Sequence, residues 1–215
     1  MKDKFGLPWT CTVAGLALCL FFPLFVTRGI GAFDFWWWMA VNTVVLLSLV
    51  AISDPLWRRE IKNDIAARPV RKLLLALLSA AILYFVFYAG NFISRRILSF
   101  AGGGIDDVYA FKGGASVIRV SLLLALVIGP GEELFWRGFL QRRLQDRLGG
   151  WTGFFIATGL YTLIHVGSFN AMLILAALTA GIVWGWFYLR FRSILLNMVS
   201  HVVWDLAVFV FFPFS

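Results

Sequence analysis

Glu132, Glu133, Arg137, His165, His201 and Asp205 are the residues with which this chain of 215 amino acids could do chemistry, because each sits inside a long apolar run. A charged or ionisable side chain deep in a membrane span costs roughly 2.5–3.5 kcal/mol on the mildest scale, so its presence needs a reason. Both histidines of the protein belong to this set. The spacing is helical: Glu133 and Arg137 are four residues apart, as are Tyr161 and His165, and His201 and Asp205. Each pair therefore shares one helix face. Glu132 is rotated by about 100° from Glu133, so it can look into a different space. Counted from the inner ends of their runs at ~1.5 Å per residue, the groups fall within a slab of about 10 Å.

Taken singly, each residue has a structural reading. Glu133 with Arg137 reads as an ion pair, His165 as an interior histidine, and His201 with Asp205 as a hydrogen-bond clamp between helices. All of them at one depth in three helices read more simply as one site. A carboxylate and an imidazole across a small gap can hold a water molecule, with Glu132 taking its proton as general base. His201 could donate to the oxygen that becomes negative in a tetrahedral intermediate. That constellation suits hydrolysis of a carbonyl compound. Two histidines and a carboxylate could instead ligate zinc. No Gly-x-Ser-x-Gly, His-Glu-x-x-His or phosphate-loop pattern is present.

The elements that must position these groups follow from composition. Hydrophobic residues make up 61% of the chain and charged residues only 14%, against about 25% charged in a soluble domain. A soluble single-core protein and a disordered one are both excluded. The net charge of +8 does not point to nucleic acid, since the basic residues fall in short clusters between apolar runs. The two cysteines, Cys11 and Cys19, both lie in the first run and form no disulfide framework. The expected fold is all-α, a polytopic transmembrane helical bundle. About seven spans are expected, near 8–27, 33–52, 73–94, 118–141, 151–168, 171–190 and 193–212. An eighth, re-entrant element in 95–116 stays open, although Gly102, Gly103, Gly104, Gly113 and Gly114 favour a flexible outer loop there. Residues 53–72 read as a basic interfacial helix. Fourteen of the 19 Lys and Arg residues, Lys2 and Lys4 among them, fall on one side if the N-terminus is cytoplasmic, which sets that orientation. Trp36, Trp37 and Trp38 then fit an outer aromatic belt, and Trp9, Trp57 and Trp151 an inner one. Gly181-x-x-x-Gly185 reads as a close helix contact within the chain. The whole, 1–215, is read as one integral membrane domain, with N-terminal spans over 8–94 and a catalytic core over 117–212.

The motifs carry a resemblance. Gly131-Glu132-Glu133-Leu134-Phe135-Trp136-Arg137 resembles the Glu-Glu-x-x-x-Arg motif of the CAAX protease and bacteriocin-processing family, glutamic-type intramembrane proteases. Tyr161-x-x-x-His165 is similar to the family's Phe-x-x-x-His, and His201-x-x-x-Asp205 to its His-x-x-x-Asn or Asp. Order and spacing agree over roughly 117–212. The resemblance implies an intramembrane endopeptidase in which Glu132 activates water, His165 completes the water site, and His201 and Asp205 stabilise the oxyanion. It implies a supporting role for Glu133 and Arg137, with Tyr161 a mild replacement of Phe. Asp205 stands where the eukaryotic-type enzymes have Asn, and is expected to orient His201 or to stay protonated. No metal and no cofactor are expected, zinc being the lesser reading. The expected partners are the lipid bilayer and a protein or peptide substrate with a hydrophobic or lipid-modified segment; no nucleic acid is expected. The expected location is the inner (plasma) membrane of a prokaryotic cell. A small transporter or channel with a polar ion path, or a catalytically silent scaffold, is the alternative.

Overall fold

The computed structural model describes residues 6–214. Lys2 and Lys4, which the charge count placed on the inner side, lie outside the described residues. Helices α1 (Leu7–Thr27) and α2 (Phe35–Ser53) are joined by a small antiparallel hairpin, β1 (Gly29–Ile30) with β2 (Phe33–Asp34). The Asp34 side chain then caps α2, accepting from Trp37 N at 3.2 Å. The short α3 (Pro55–Ala66) leads to the long α4 (Pro69–Ile97) and to α5 (Ala101–Ala110). Residues 117–148 form a continuous helical rod that changes pitch twice. Its α6 (Val117–Leu123), α7 (Gly129–Phe135) and α8 (Arg142–Leu148) are separated by π turns at Leu124–Ile128 and Trp136–Gln141. The rod is followed by α9 (Gly150–Val166), α10 (Ala171–Phe191) and α11 (Ile194–Leu206), which runs on into a third π turn, Ala207–Phe211.

Apart from the hairpin, the described chain is helical, in keeping with backbone groups that must find partners internally in lipid. Five helices are long and apolar enough to cross a membrane: Leu7–Thr27, Phe35–Ser53, Pro69–Ile97, Ala171–Phe191 and Ile194–Phe211. The two other expected spans exist as helices, but α9 has 17 residues and the rod carries the charged residues and the pitch breaks. Large apolar side chains cover the outside, with Leu74 64% and Phe85 68% exposed on α4. Lipid suits such a surface better than water does. Inside, α9 packs on α10, α8 and α1, while α11 packs on α4 and α7. Trp136, Trp184, Phe135 and Phe139 are among the largest fully buried side chains.

Small residues let the helices approach. Gly181 and Gly185 face α9, where a Cβ would meet Tyr161 Cδ1 at 3.2 Å and the Phe154 ring at 3.0 Å respectively. The glycine pair thus serves packing within the chain. Gly131, directly before the two glutamates, lies against Thr43 and Leu47 of α2 so closely that a Cβ would overlap the Thr43 methyl group.

Three expectations are corrected by tertiary contacts. Residues 101–110, expected in a flexible loop, form α5 despite three glycines. Asn170 Nδ2 donates to Gly104 O at 2.7 Å and to Asp107 Oδ2 at 3.2 Å, and Arg28 grips Asp107 bidentately at 2.9 and 2.6 Å. Packing and these bonds override a poor helix propensity. Trp36 and Trp57 are buried rather than in a belt, and their Nε1 groups donate to Phe111 O at 3.0 Å and Leu134 O at 3.1 Å. Arg142 and Arg143, counted as inner-loop charges, are buried and share Asp54 Oδ2 at 2.5 and 3.0 Å, with Arg142 also reaching Glu60 at 2.8 Å. On the same side Asp64 pairs with Lys72 at 2.6 Å and accepts from Leu195 N at 2.8 Å, so α3 ties together the ends of α4, α8 and α11. Cys11 and Cys19 are free and exposed.

The Gly131 contact yields a first prediction. Gly131→Ala forces α7 away from α2, and overpacking of this kind costs about 1–3 kcal/mol. Its melting temperature in detergent should fall below the wild-type value, whereas Gly103→Ala, where a Cβ meets no atom within 4 Å, should not lower it.

Candidate active site

The rod supplies Glu132 and Glu133 on α7, between two π turns, and Arg137 inside the second of them. Pro130 explains part of this winding. It has no N–H for the preceding turn and its ring needs space at the carbonyl four residues back, which a wider π turn provides. α9 supplies Tyr161 and His165, and α11 supplies His201 and Asp205. All seven are buried. Of these, Glu132, Tyr161, His165, His201 and Asp205 line one cavity of about 450 Å³.

The two adjacent carboxylates point to different partners, as their 100° offset on a helix requires. Glu133 is the more enclosed. Its Oε1 accepts from Arg137 Nη1 at 2.8 Å and lies 2.9 Å from His201 Nδ1, and its Oε2 accepts from Asn197 Nδ2 at 3.2 Å. Glu133 and Arg137 form the expected pair, but the pair is also a link to α11. The Arg137 guanidinium lies 4.7 Å above the Tyr161 ring and 5.7 Å from that of Trp184. Cations are held well over such faces.

Glu132 has no partner on its own helix, and the structure gives it one on α9: Tyr161 Oη donates to Glu132 Oε2 at 3.1 Å. The same tyrosine holds the histidine. His165 Nδ1 lies 2.8 Å from Tyr161 O, and since a carbonyl only accepts, Nδ1 carries the hydrogen and Nε2 is the acceptor of the neutral ring. The Phe25 ring, 4.6 Å away between centroids, backs this imidazole. Among the described residues, Glu132 Oε1 and His165 Nε2 receive no protein hydrogen bond. One lone-pair-bearing oxygen and one ring nitrogen, on helices tied together by Tyr161, line the same cavity. That pairing is able to hold water.

His201 is oriented differently from the sequence expectation. Asp205 Oδ2 lies 3.6 Å from His201 Nε2, beyond hydrogen-bond length, while Nδ1 is at bonding distance from Glu133. Glu133 therefore fixes the ring, which also stacks on Trp184 at 3.8 Å and 24°. Asp205 stands at the other nitrogen. Two residues of this network were missed from sequence. Asn197 bridges Glu133 to Trp184 O, at 2.7 Å from the latter, and Trp184 Nε1 donates to Ser200 Oγ at 3.1 Å. Asn197 does carry a signal, being a polar residue four positions before His201 in an apolar run; Trp184 carries none. Tyr161, read as a mild replacement, is in direct contact with the carboxylate.

No group of three or more His, Cys, Asp or Glu side chains is gathered in metal-holding geometry among the described residues. The rest of the cavity lining is mostly apolar, with Phe25, Trp36, Met39, Phe87 and Phe209 on its walls, and it includes Asn91, Ser94, Tyr109 and Thr179. The lining also includes Val86 of α4 and Leu175 of α10, which are 46% and 48% exposed.

Residues 114–207 match the family model described as type II CAAX prenyl endopeptidase Rce1-like. This is the family that the three motifs indicate, and the match takes in all of them. No curated protein and no solved structure matches the chain.

The division of labour within the glutamate pair gives a second prediction. Glu133→Ala leaves Arg137 without its carboxylate and frees His201 Nδ1, and breaking a buried pair from one side typically costs about 3–5 kcal/mol. Glu132→Ala strands one tyrosine hydroxyl, worth about 1–3 kcal/mol. Thermal denaturation in detergent should therefore rank Glu133→Ala well below Glu132→Ala. Equal melting temperatures would remove the distinction.

Proposed function

Because residues 114–207 match the model of Rce1-like type II CAAX prenyl endopeptidases, we propose that this multi-pass membrane protein is an intramembrane endopeptidase of the glutamic type. It crosses the inner membrane seven times, with the rod and α9 as spans beside the five apolar helices and with the N-terminus in the cytoplasm. The observation that carries the reading is that Glu132 and His165 line the same cavity, both bonded to Tyr161, each with one atom left for water.

In the proposed reaction the water oxygen attacks the scissile carbonyl carbon. Glu132 takes the water proton and returns it to the leaving amide nitrogen as the C–N bond breaks, which yields a carboxylic acid and an amine. The negative charge that builds on the carbonyl oxygen is met by His201. A ring that donates through both nitrogens is a cation, and Glu133 and Asp205 at its two sides are placed to balance it. Asp205 acts through His201 and does not itself donate. Glu133 and Arg137 keep the rod and α11 in register for this. The substrate is a protein or peptide with an apolar or lipid-modified segment, because the approach to the carboxylate is walled by aromatic and aliphatic side chains.

Water is held by the protein and not by a metal. Glu133 and His201 are used up on each other, and the guanidinium of Arg137 on the same hub opposes a divalent cation at short range.

Purified protein in liposomes should cleave at least one of three reporters: a farnesylated peptide ending in three further residues, a leader peptide, or a single-span protein with a C-terminal sorting tail. Glu132→Gln keeps the shape and removes the base, so product formation should fall by about 10²-fold or more. Near-normal cleavage by this variant would exclude Glu132 as the base. Ion or solute flux without any peptide product would identify a transporter instead. After exhaustive chelation, cleavage should persist and elemental analysis should find far less than one zinc per chain. Activity lost on chelation and restored by stoichiometric zinc would replace the mechanism with a metal-dependent one.

A further inference from the structure

We propose that the Tyr161 hydroxyl is a positioning group for the general base: it pins one oxygen of Glu132 and thereby reserves the other for water. The inference rests on the reading of Glu132 as the base. Its foundation is a departure at this chain's own second motif, where the aromatic residue carries an oxygen, and that oxygen lies 3.1 Å from Glu132 Oε2.

A carboxylate on a flexible two-carbon stem can turn about its last bond, a torsion with broad, weak preferences. Inside an apolar cavity, nothing else among the described residues holds the Glu132 carboxylate, since Arg137 is bonded to Glu133. The tyrosine, in contrast, cannot move. Its ring lies edge-on to Trp136 with centroids 5.5 Å apart, carries the Arg137 guanidinium at 4.7 Å, and fits against Gly181, where a Cβ would come within 3.2 Å of its Cδ1. Its own carbonyl oxygen takes the His165 Nδ1 hydrogen at 2.8 Å. A single rigid residue therefore sets both halves of the water-holding pair, Glu132 through its side chain and His165 through its backbone. A phenylalanine in the same place would preserve the second function and lose the first.

The Tyr161 ring packs edge-on to Trp136, and the His165 ring packs against Phe25. With Oε2 bonded to the phenol, Oε1 is the oxygen left without a protein hydrogen bond among the described residues. Base catalysis depends on heavy-atom geometry within a few tenths of an ångström, and a loosened base loses rate without loss of substrate binding.

The experiment uses Tyr161→Phe in the full-length protein, which keeps ring, packing and backbone. On whichever reporter the wild type cleaves, kcat should fall by about 10- to 100-fold with KM unchanged, the range of a hydrogen bond to a charged group. In a Glu132→Gln background the same substitution should add almost nothing, since the base that it positions is already gone. A second readout needs no substrate. Dicyclohexylcarbodiimide, an apolar carboxyl reagent small enough for the cavity, should modify Glu132 several-fold faster in Tyr161→Phe than in wild type, as read by peptide mass spectrometry. Glu132→Gln should show no label at this position.

Equal labelling rates in wild type and Tyr161→Phe would overturn the proposal, and so would a raised KM at constant kcat, which assigns the hydroxyl to the substrate. A full additional loss in the Glu132→Gln background would also overturn it. These outcomes are separate from failure of the protease reading, which would appear as no cleavage of any reporter while the labelling contrast persists.

Discussion

The bundle is organised around one buried carboxylate. Glu133 is fully enclosed and receives the Arg137 guanidinium, faces the His201 imidazole and accepts from the Asn197 amide. An ion left alone at such a place would cost many kcal/mol, so its partners are obligatory. Two of the three belong to α11, and the third lies in the rod beyond α7. The rod and the last helix are thus fixed in rotation and in height by a requirement of electrostatics, where apolar packing alone would tolerate sliding. Cavity, histidine orientation and the free face of Glu132 all follow from that registration.

The second carboxylate is the converse case. Glu132 stands beside its neighbour in sequence yet looks away from it, onto α9, and has a single neutral donor in place of a cation. Adjacent residues on a helix are turned far enough apart to live in separate environments. The sequence Glu-Glu places two carboxylates in separate environments with the least possible length of chain. The π turns on both sides of α7 belong to the same economy, since a wider turn re-aims side chains without a loop, and loops at this depth would leave backbone groups unpaired.

Much of this is legible in the sequence. The ion pair Glu133–Arg137 and the three polar helix faces were accessible because helical periodicity governs them. What could not be read were contacts between helices. That Tyr161 reaches Glu132 and that His201 turns to Glu133, with Asp205 left at 3.6 Å, depends on how α7, α9 and α11 are rotated against each other. No local spacing records this. The same holds for α5, where glycines argued for a loop and Asn170, Asp107 and Arg28 decided for a helix. The π turns were unreadable for another reason, because hydrophobic periodicity over five residues does not distinguish them from an ordinary turn.

An opening between α4 and α10, where the lining residues Val86 and Leu175 are half exposed, would change what concentration means for this protein. A partner that arrives through it has already left water and diffuses in two dimensions. The relevant measure is then its mole fraction among lipids and not its molarity. Encounter would slow when more bilayer is added at constant substrate, by surface dilution alone, and two membranes of different thickness or crowding would present the same cavity with different effective supplies.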